Sequence, residues 1–265
     1  SSQCLLNNNF EFRDSSIVKT SGGIAKHFWD FGDGTLDTVS GPKVFKSYAS
    51  YGDYYVELRV INQKGCEDKV KQLVKLYDMP VADFSVNADK QCFIGNDFNF
   101  YNKSKIVTGN GTLGYDWEFG DGNVSSNISP NNQFSQPGTY NITLLVTSSF
   151  GCQNTIIKPI EVYQNPDAPN ITVDRTIPCY GMLGGLKSFV TGGILPYQYS
   201  WNGGNFTSNG DIDSIPAGWY YLEVIDKNGC KNKDSFELIQ PDELSAKVIK
   251  VSDALCFGFS NASAK

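Results

Sequence analysis

Cysteine is the residue type in this chain with the clearest capacity for chemistry, because two thiols can join as a disulfide. The 265-residue sequence contains seven cysteines, and six of them fall in three successive pairs along the chain. The predicted bridges are Cys4–Cys66, Cys92–Cys152 and Cys179–Cys230. Each would close a loop of roughly 50 to 60 residues and contribute about 4 kcal/mol in the chain-entropy model. Such bridges indicate an oxidising compartment. Buried free thiols in a cytosolic protein are the alternative, but they would not explain one pair per repeat.

The seventh cysteine, Cys256, has no predicted partner within these residues. The run Cys179-Tyr180-Gly181 recurs as Cys256-Phe257-Gly258, so residues 242–265 resemble the opening of a further module. We therefore expect that the partner of Cys256 lies after Lys265 and that the chain, which starts Ser-Ser without Met, is a piece of a longer repeat array.

Carboxylates and glycines form a second candidate site. The run WDFGDG from Trp29 to Gly34 returns as WEFGDG from Trp117 to Gly122. Glycine reaches backbone angles that other residues avoid, and an aspartate can cap the amides of a tight turn. The predicted structural turn residues are Asp33, Gly34, Asp121 and Gly122. Asp30-Phe31-Gly32 also matches the magnesium-binding triplet of protein kinases, but the other kinase motifs are missing from the sequence.

Calcium is the alternative role for these side chains, because hard cations prefer oxygen ligands. The carboxylates concerned are Asp30, Asp33 and Asp37 in the first copy, and Glu118 and Asp121 in the second. Their spacing does not match the Ca²⁺-binding D-x-D-x-D-G loop, and the second copy has no residue matching Asp37. The sequence therefore predicts no metal site and no cofactor, with calcium kept as an alternative.

Enzymatic chemistry is disfavoured by the single histidine. His27 is the only imidazole in the sequence, so neither a Ser-His-Asp nor a Cys-His arrangement can be assembled with the cysteines already paired. The same scarcity argues against a zinc hydrolase. The second copy has Tyr115 at the position of His27, which indicates an aromatic filler on a strand. We expect no catalytic residue and no enzyme.

Aromatic residues divide into two groups. Trp29, Trp117 and Trp201 occupy similar strand positions and are expected in cores. Alternation points Tyr221 away from the core, and Trp219 is placed in the turn before its strand. Exposed aromatic rings can stack on sugars, so Trp219 and Tyr221 are the candidate glycan contacts, although isolated surface aromatics are ordinary.

Short strands and tight turns must position these residues. The sequence has 26 Gly, 11 Pro and 13% aromatic residues, and it lacks long helical periodicity. In Tyr54-Tyr55-Val56-Glu57-Leu58, apolar and polar residues alternate as in a strand with one buried face. The predicted fold is all-β, with tandem Ig-like β-sandwich modules in an elongated array.

Repeats and proline-containing joints give the domain boundaries. Residues of the first copy recur 86 to 88 positions later, and a third segment ends in a similar strand followed by Gly-Cys. The predicted modules are 1–78, 79–163, 164–241 and a truncated module at 242–265.

Charge and hydropathy exclude some partners. The net charge is −6, and the 22 Lys and Arg residues are scattered, so nucleic acid is not expected as a partner. No apolar stretch is long enough to span a bilayer, and none has the profile of a signal peptide.

The first two modules resemble the PKD domain, an Ig-like β-sandwich. The resemblance rests on WDFGDG and WEFGDG, on the Gly-x-Tyr strand starts at Gly52 and Gly138, and on the closing Gly-Cys pairs. It covers roughly residues 1 to 163. The Pro-Gly-Thr-Tyr turn common in the family is present at Pro137 to Tyr140 but is Tyr51-Gly52-Asp53-Tyr54 in the first copy.

The third module is similar to the SprB repeat. The residues that carry this resemblance are Cys179, Gly192, Gly193, Pro196, Tyr197, Trp201, Ala217, Gly218, Tyr220 and Asp226 to Cys230. Trp219 departs from the small residue usual after Ala-Gly. PKD domains followed by SprB repeats resemble the large surface adhesins of gliding flavobacteria.

This second resemblance implies export by type IX secretion and a position on the exterior of the outer membrane. It also implies attachment to a solid surface or extracellular polysaccharide, and contact with other modules of the same chain. The alternative is that these are spacer or glycan-binding modules of a secreted hydrolase, where PKD domains also occur.

Overall fold

A computed structural model describes residues 1–19, 22–38, 41–107, 111–252 and 263–264, and every regular element in these ranges is a β-strand. The predicted all-β class is confirmed. The chain divides into two compact units, Ser1–Gln91 with Gly95–Val162, and Cys92–Ile94 with Tyr163–Lys265. No helix long and apolar enough to cross a membrane occurs in the described ranges.

The first repeat is a sandwich of a large and a small sheet. Its strands are β1 (Ser2–Cys4), β2 (Phe10–Arg13), β3 (Ile24–Asp30), β4 (Leu36–Asp37), β5 (Lys43–Lys46), β6 (Gly52–Asn62) and β7 (Glu67–Tyr77). The large sheet has the order β1-β7-β6-β3-β4, and β2 pairs with β5. Strand β1 runs parallel to β7, which places Cys4 opposite Tyr77 at the end of β7.

The core of this repeat follows the predicted alternation. Val56, Leu58 and Val60 are buried, whereas Tyr55 between them is exposed. Trp29 is buried in the same core, as predicted, together with aromatic residues from the facing sheet such as Phe10. Removing these apolar surfaces from water is the main force that holds the two sheets together.

The second repeat has the same plan. Its strands are β8 (Pro80–Val81), β9 (Phe84–Val86), β10 (Lys90–Cys92), β11 (Phe98–Asn102), β12 (Lys105–Ile106), β13 (Leu113–Glu118), β14 (Val124–Ser125), β15 (Asn131–Asn132), β16 (Gly138–Ser148) and β17 (Gln153–Tyr163). The sheets are β10-β17-β16-β13-β14, β15-β11-β9 and β12-β8. Trp117 is fully buried, with Phe84 and Phe100 in ring contact with it.

The third segment folds as two three-stranded sheets. Its strands are β18 (Asn170–Arg175), β19 (Gly184–Phe189), β20 (Gln198–Trp201), β21 (Ile212–Ile215), β22 (Gly218–Ile225) and β23 (Lys231–Leu238). The sheets are β18-β19-β21 and β20-β22-β23. Leu186, Leu222 and Leu238 are buried in the core, and Trp201 packs against it while partly exposed.

A two-stranded pair, β24 (Lys250–Ser252) with β25 (Ser263–Ala264), ends the described chain. Cys256 lies outside the described residues.

Candidate functional site: the disulfide bridges and the turns that hold them

Among the residues that the structure describes, two disulfides are formed, and neither is one of the predicted pairs. Cys4 is bonded to Cys152, 148 residues away, with a Cα–Cα distance of 5.5 Å. Cys92 is bonded to Cys230, 138 residues away, with a Cα–Cα distance of 5.4 Å. Cys66 and Cys179 are free and exposed. The predicted bridges Cys4–Cys66, Cys92–Cys152 and Cys179–Cys230 are therefore wrong.

Strand geometry explains why the pairing within a repeat fails. Cys4 lies beside Tyr77 at the end of β7, whereas Cys66 immediately precedes the start of β7. The eleven residues of β7 span about 36 Å at ~3.3 Å per residue. A disulfide needs its two Cα atoms within about 7 Å, so the two ends of one strand cannot be bridged.

The other two predicted pairs fail in the same way. The Asp89 carbonyl, just before β10, accepts the Glu161 N–H near the end of β17, while Cys152 precedes β17. In the third segment, the Gly181 N–H donates to the Gln240 side chain after the end of β23. Cys230, in contrast, precedes the start of β23. In each segment one cysteine is near the end of the last strand and the other is at its beginning.

We name these two positions by their places in the fold. The exit cysteines are Cys4, Cys92 and Cys179, which lie near the end of the last strand of their own segment. The turn cysteines are Cys66, Cys152 and Cys230, which lie in the turn between the last two strands. Both formed bridges join an exit cysteine to the turn cysteine of the next segment along the sequence.

The turn cysteines share one hydrogen-bonded turn. In the second repeat, the Cys152 N–H donates to Ser148 Oγ at 3.1 Å, and the Ser148 N–H donates to the Cys152 carbonyl at 2.8 Å. The Gly151 N–H also donates to the Ser148 carbonyl, and Gly151 has a φ of +83°, which glycine adopts without strain. Asp226 plays the part of Ser148 in the third segment, where its Oδ1 accepts the Cys230 N–H at 2.8 Å.

The exit cysteines of the two repeats also share their surroundings. The amide after each cysteine donates to the last residue of the final strand, since the Leu5 N–H donates to Tyr77 and the Phe93 N–H to Tyr163. Tyr77 also stacks on Phe150, which is in the turn of Cys152, with ring centroids 4.0 Å apart. The sulfur bridge is thus supported by an aromatic contact within the first unit.

Linker prolines contribute a further shared bond. Asn154 Nδ2, two residues after Cys152, donates to the Pro80 carbonyl at 2.9 Å. Asn232 Nδ2, two residues after Cys230, donates to the Pro166 carbonyl at 2.9 Å. Neither these asparagines nor the Tyr77–Phe150 stack was predicted from the sequence. The signal available for the asparagines was their fixed position two residues after a turn cysteine.

The FGDG runs form capped turns. Asp33 Oδ1 accepts the Thr35 N–H at 3.0 Å, and Asp121 Oδ1 accepts the Asn123 N–H at 2.9 Å. Gly34 and Gly122 both have positive φ, at +86° and +94°. A Cβ on the preceding Gly32 would lie 2.8 Å from the Tyr55 carbonyl oxygen, so only glycine fits there without a shift of backbone.

A cation is already supplied to the first turn by the protein. Lys46 Nζ lies 2.7 Å from Asp33 Oδ2. Burial raises the pKa of Asp33, but hydrogen bonds from Lys46 and Thr35 outweigh burial and hold this pKa below its ordinary value. In the part of the chain that the structure describes, no cluster of three or more His, Cys, Asp or Glu could hold a metal ion.

The Asp33 cap leads to a stability prediction. Asp33→Ala should lower the free energy of unfolding by about 1–2 kcal/mol at neutral pH, because the Thr35 N–H and the Lys46 ammonium lose their acceptor. Since folding lowers the pKa of Asp33, its contribution is complete above the unfolded-state pKa and is lost as the pH falls through the folded-state pKa. Urea unfolding of wild type and variant from neutral to acidic pH should show the difference shrinking.

The control for Asp33 is Asp53→Ala. Asp53 is a half-exposed carboxylate 3.4 Å from Lys75 Nζ, so its loss should change stability by less than about 0.5 kcal/mol. Equal effects of the two variants at neutral pH, or a constant difference at all pH values, would contradict the capping role.

His27 has a partner that the sequence did not indicate. On β3, His27 Nε2 lies 2.9 Å from Asp14 Oδ2, so the residue is more than an aromatic filler. Burial raises the pKa of Asp14, but hydrogen bonds from Ser16 and His27 outweigh this and hold its pKa below the ordinary value. The pair ties β3 to the residue that follows β2.

The two candidate glycan contacts lie on one strand. Trp219 is the second residue of β22, so its predicted place in the turn before the strand is wrong. Trp219 is 55% exposed and Tyr221 is 60% exposed, with buried Tyr220 between them. Residues two apart on a strand share a face, so both rings are presented on the same side of this sheet.

Comparison with known proteins places the first two repeats. A family model described as PKD domain matches residues 3–75 and 77–162. Over 104 residues the chain is 28% identical to the collagenase ColA of Bacillus cereus; this match covers 39% of the chain and 10% of the collagenase. The chain therefore spans about a tenth of the length of that curated relative.

Two solved structures are also similar. The PKD1 domain of Vibrio anguillarum Epp is 32% identical, and the match covers 32% of this chain and 93% of that domain with a TM-score of 0.28. The N-terminal eight Ig domains of Down Syndrome Cell Adhesion Molecule are 13% identical, with 83% of this chain and 33% of that chain covered and a TM-score of 0.51. The second likeness confirms tandem Ig-like sandwiches as the fold.

Proposed function

Because the chain belongs to the PKD domain family through residues 3–75 and 77–162, we propose that it is a non-enzymatic segment of a large extracellular adhesin. Its modules, at 1–78, 79–163, 164–241 and 242–265, act as a covalently interlocked stalk. We propose the third and fourth as SprB repeats, and the exterior of the bacterial outer membrane, reached by type IX secretion, as the location.

The observation that carries this proposal is the pattern of bridges. Each formed disulfide connects an exit cysteine to the turn cysteine of the next segment, so consecutive segments are joined by sulfur as well as by the peptide chain. A stalk under load benefits from such a second connection, because tension that passes through the two bonds bypasses residues 5–91 and 153–229. Disulfides also persist only where the surroundings are oxidising.

Fab fragments raised against the 265-residue chain test this function. They should label intact cells of the producing bacterium and reduce the attachment of those cells to a solid or polysaccharide-coated surface. Detection of the chain only in the culture medium, on the same polypeptide as a hydrolase, would instead support the second candidate below. Labelling only of broken cells would contradict an extracellular role of either kind.

The second candidate is that the modules are accessory parts of a secreted hydrolase. The observation that favours it is the 28% identity to part of a collagenase, over 104 residues. In this case the modules would space a catalytic domain from its substrate. Mass spectrometry of the full-length secreted protein would distinguish the two candidates, since a catalytic domain on the same polypeptide supports the hydrolase and further sandwich repeats support the adhesin.

Glycan binding would add a ligand to either candidate. The exposed Trp219 and Tyr221 rings on one face of β22 are the contacts we propose for a sugar. A glycan array probed with the chain should show binding that Trp219→Ala abolishes. No binding at high protein concentration, or equal binding by the variant, would overturn this role.

A further inference from the structure

Within the described ranges, two exposed cysteines, Cys66 and Cys179, take part in neither of the two formed bridges. Cys66 is a turn cysteine and Cys179 is an exit cysteine, so each has the position of one half of a bridge. We propose that they are open connectors: Cys179 bonds to the turn cysteine of another module of this kind, and Cys66 bonds to the exit cysteine of another. This inference deepens the proposed stalk function, because it extends the same covalent connection to both ends of the segment.

The turn of Cys66 is already in the bridged form. Asn62 Oδ1 accepts the Cys66 N–H at 3.0 Å, and the Asn62 N–H donates to the Cys66 carbonyl at 3.0 Å. Gly65 has a φ of +83°, the value found for the glycines before Cys152 and Cys230. The difference lies in what covers the sulfur, since Cys152 and Cys230 are 1% and 0% exposed while Cys66 is open to solvent. The turn that holds Cys66 is therefore already formed, while its sulfur is exposed to solvent.

The surroundings of Cys179 are those of an uncovered exit. A turn follows Cys179, as turns follow Cys4 and Cys92, and the Met182 N–H donates to the Cys179 carbonyl at 3.1 Å. Pro241 follows the last residue of β23 by three positions, as Pro80 follows Tyr77. Apolar side chains near this end are exposed, among them Tyr180, Met182 and Ile239. In the first unit, the apolar ring of Tyr77 at the end of β7 is stacked against Phe150.

One residue departs from the bridged pattern. The bridged turns have Asn154 and Asn232 two residues after the cysteine, where they donate to a linker proline carbonyl. The equivalent residue after Cys66 is Asp68, whose carboxylate side chain has no N–H to donate. A connection through Cys66 should therefore strengthen when Asp68 is replaced by Asn.

The bond that we propose is an ordinary thiol oxidation. One thiolate attacks an oxidised small-molecule disulfide such as glutathione disulfide, forming a mixed disulfide and releasing one reduced thiol. The second cysteine thiolate then attacks the mixed disulfide and releases a second reduced thiol. The two protein thiols lose two protons and two electrons, and the glutathione disulfide gains them.

The chain itself supplies both halves of the test. In a Cys256→Ser background, Cys66→Ser leaves only Cys179 open, and Cys179→Ser leaves only Cys66 open. Equal amounts of these two proteins are mixed in a glutathione redox buffer, quenched with N-ethylmaleimide and digested for peptide mass mapping. We expect the Cys179–Cys66 dimer to exceed each symmetric dimer by about tenfold, which is about fivefold above the random ratio and equivalent to ~1 kcal/mol of preference.

A control variant distinguishes specific Cys179–Cys66 pairing from random pairing of thiols. Asp68→Asn on the Cys179→Ser protein should raise the yield of the mixed dimer further and leave the symmetric dimers unchanged. Random thiol pairing would give the mixed dimer at only twice each symmetric dimer, and that ratio, or no dimer at all, would overturn the inference. If mapping still finds Cys4–Cys152 and Cys92–Cys230 intact in that case, the proposed function is left standing; if those bridges are also missing, the function proposal fails as well.

Discussion

Pulling the chain by its two ends should extend it much further after reduction than before it. The effects of the two bridges on this extended length should not be additive. The loops that they close overlap, because Cys92 lies inside the Cys4–Cys152 loop. Tension therefore runs through both sulfur bonds and stretches mainly residues 92–152 and the two ends. Reduction should lengthen the fully extended chain by roughly 570 Å at ~3.5 Å per residue.

Single variants expose the overlap. In a background without Cys66, Cys179 and Cys256, the Cys4→Ser protein should extend by only roughly 95 Å more than its parent, and Cys92→Ser by roughly 60 Å more. Losing both bridges should lengthen the fully extended chain by the whole of the roughly 570 Å expected on reduction, far more than the two single effects together. In this background, bridging within a repeat could join only Cys92 to Cys152, so Cys4→Ser would then add no length, Cys92→Ser would add roughly 200 Å, and the two effects would be additive. Force spectroscopy of the four proteins distinguishes these patterns, and additivity would refute the interlocked arrangement.

Removal of one bridge should also cause the largest loss of stability. The Cys4–Cys152 bridge closes a loop of 148 residues. In the chain-entropy model, such a loop restricts the unfolded chain enough to contribute about 5 kcal/mol. Replacing both Cys4 and Cys152 with Ala should therefore lower the free energy of unfolding by about that amount, as measured by guanidinium denaturation without reductant.

The matched control replaces two cysteines that form no bridge. Cys66→Ser with Cys179→Ser should leave the free energy of unfolding within about 0.5 kcal/mol of the wild-type value, because both side chains are exposed. Reductant should remove the difference between the wild type and the Cys4/Cys152 variant. A similar loss in the control, or a difference that persists under reductant, would show that the bridge is not its source.

Strong periodic signals explain how much of the fold could be predicted. The alternation along β6 correctly assigned Val56 and Leu58 to the core, and the repeated WDFGDG run correctly assigned Trp29 and Trp117 to buried positions. These positions follow from local pattern alone, because a strand with one buried face has a period of two.

The bridges could not be predicted in the same way. Strand β1 has only three residues and no alternation, so nothing in the sequence shows that it pairs parallel with the end of β7. That pairing decides which end of β7 lies near Cys4. One cysteine pair per repeat is compatible with bonds inside a repeat and with bonds to the next one, and only the three-dimensional position selects between them. The His27–Asp14 contact was missed for a similar reason, since it joins residues 13 positions apart through the fold.

Peptide mass mapping of the non-reduced protein tests the central claim most directly. The protein is alkylated at acidic pH to block exchange and digested without reductant. We expect cross-linked peptides for Cys4 with Cys152 and for Cys92 with Cys230, with neither Cys66 nor Cys179 in these two bridges. Peptides joining Cys4 to Cys66, Cys92 to Cys152 or Cys179 to Cys230 would contradict it.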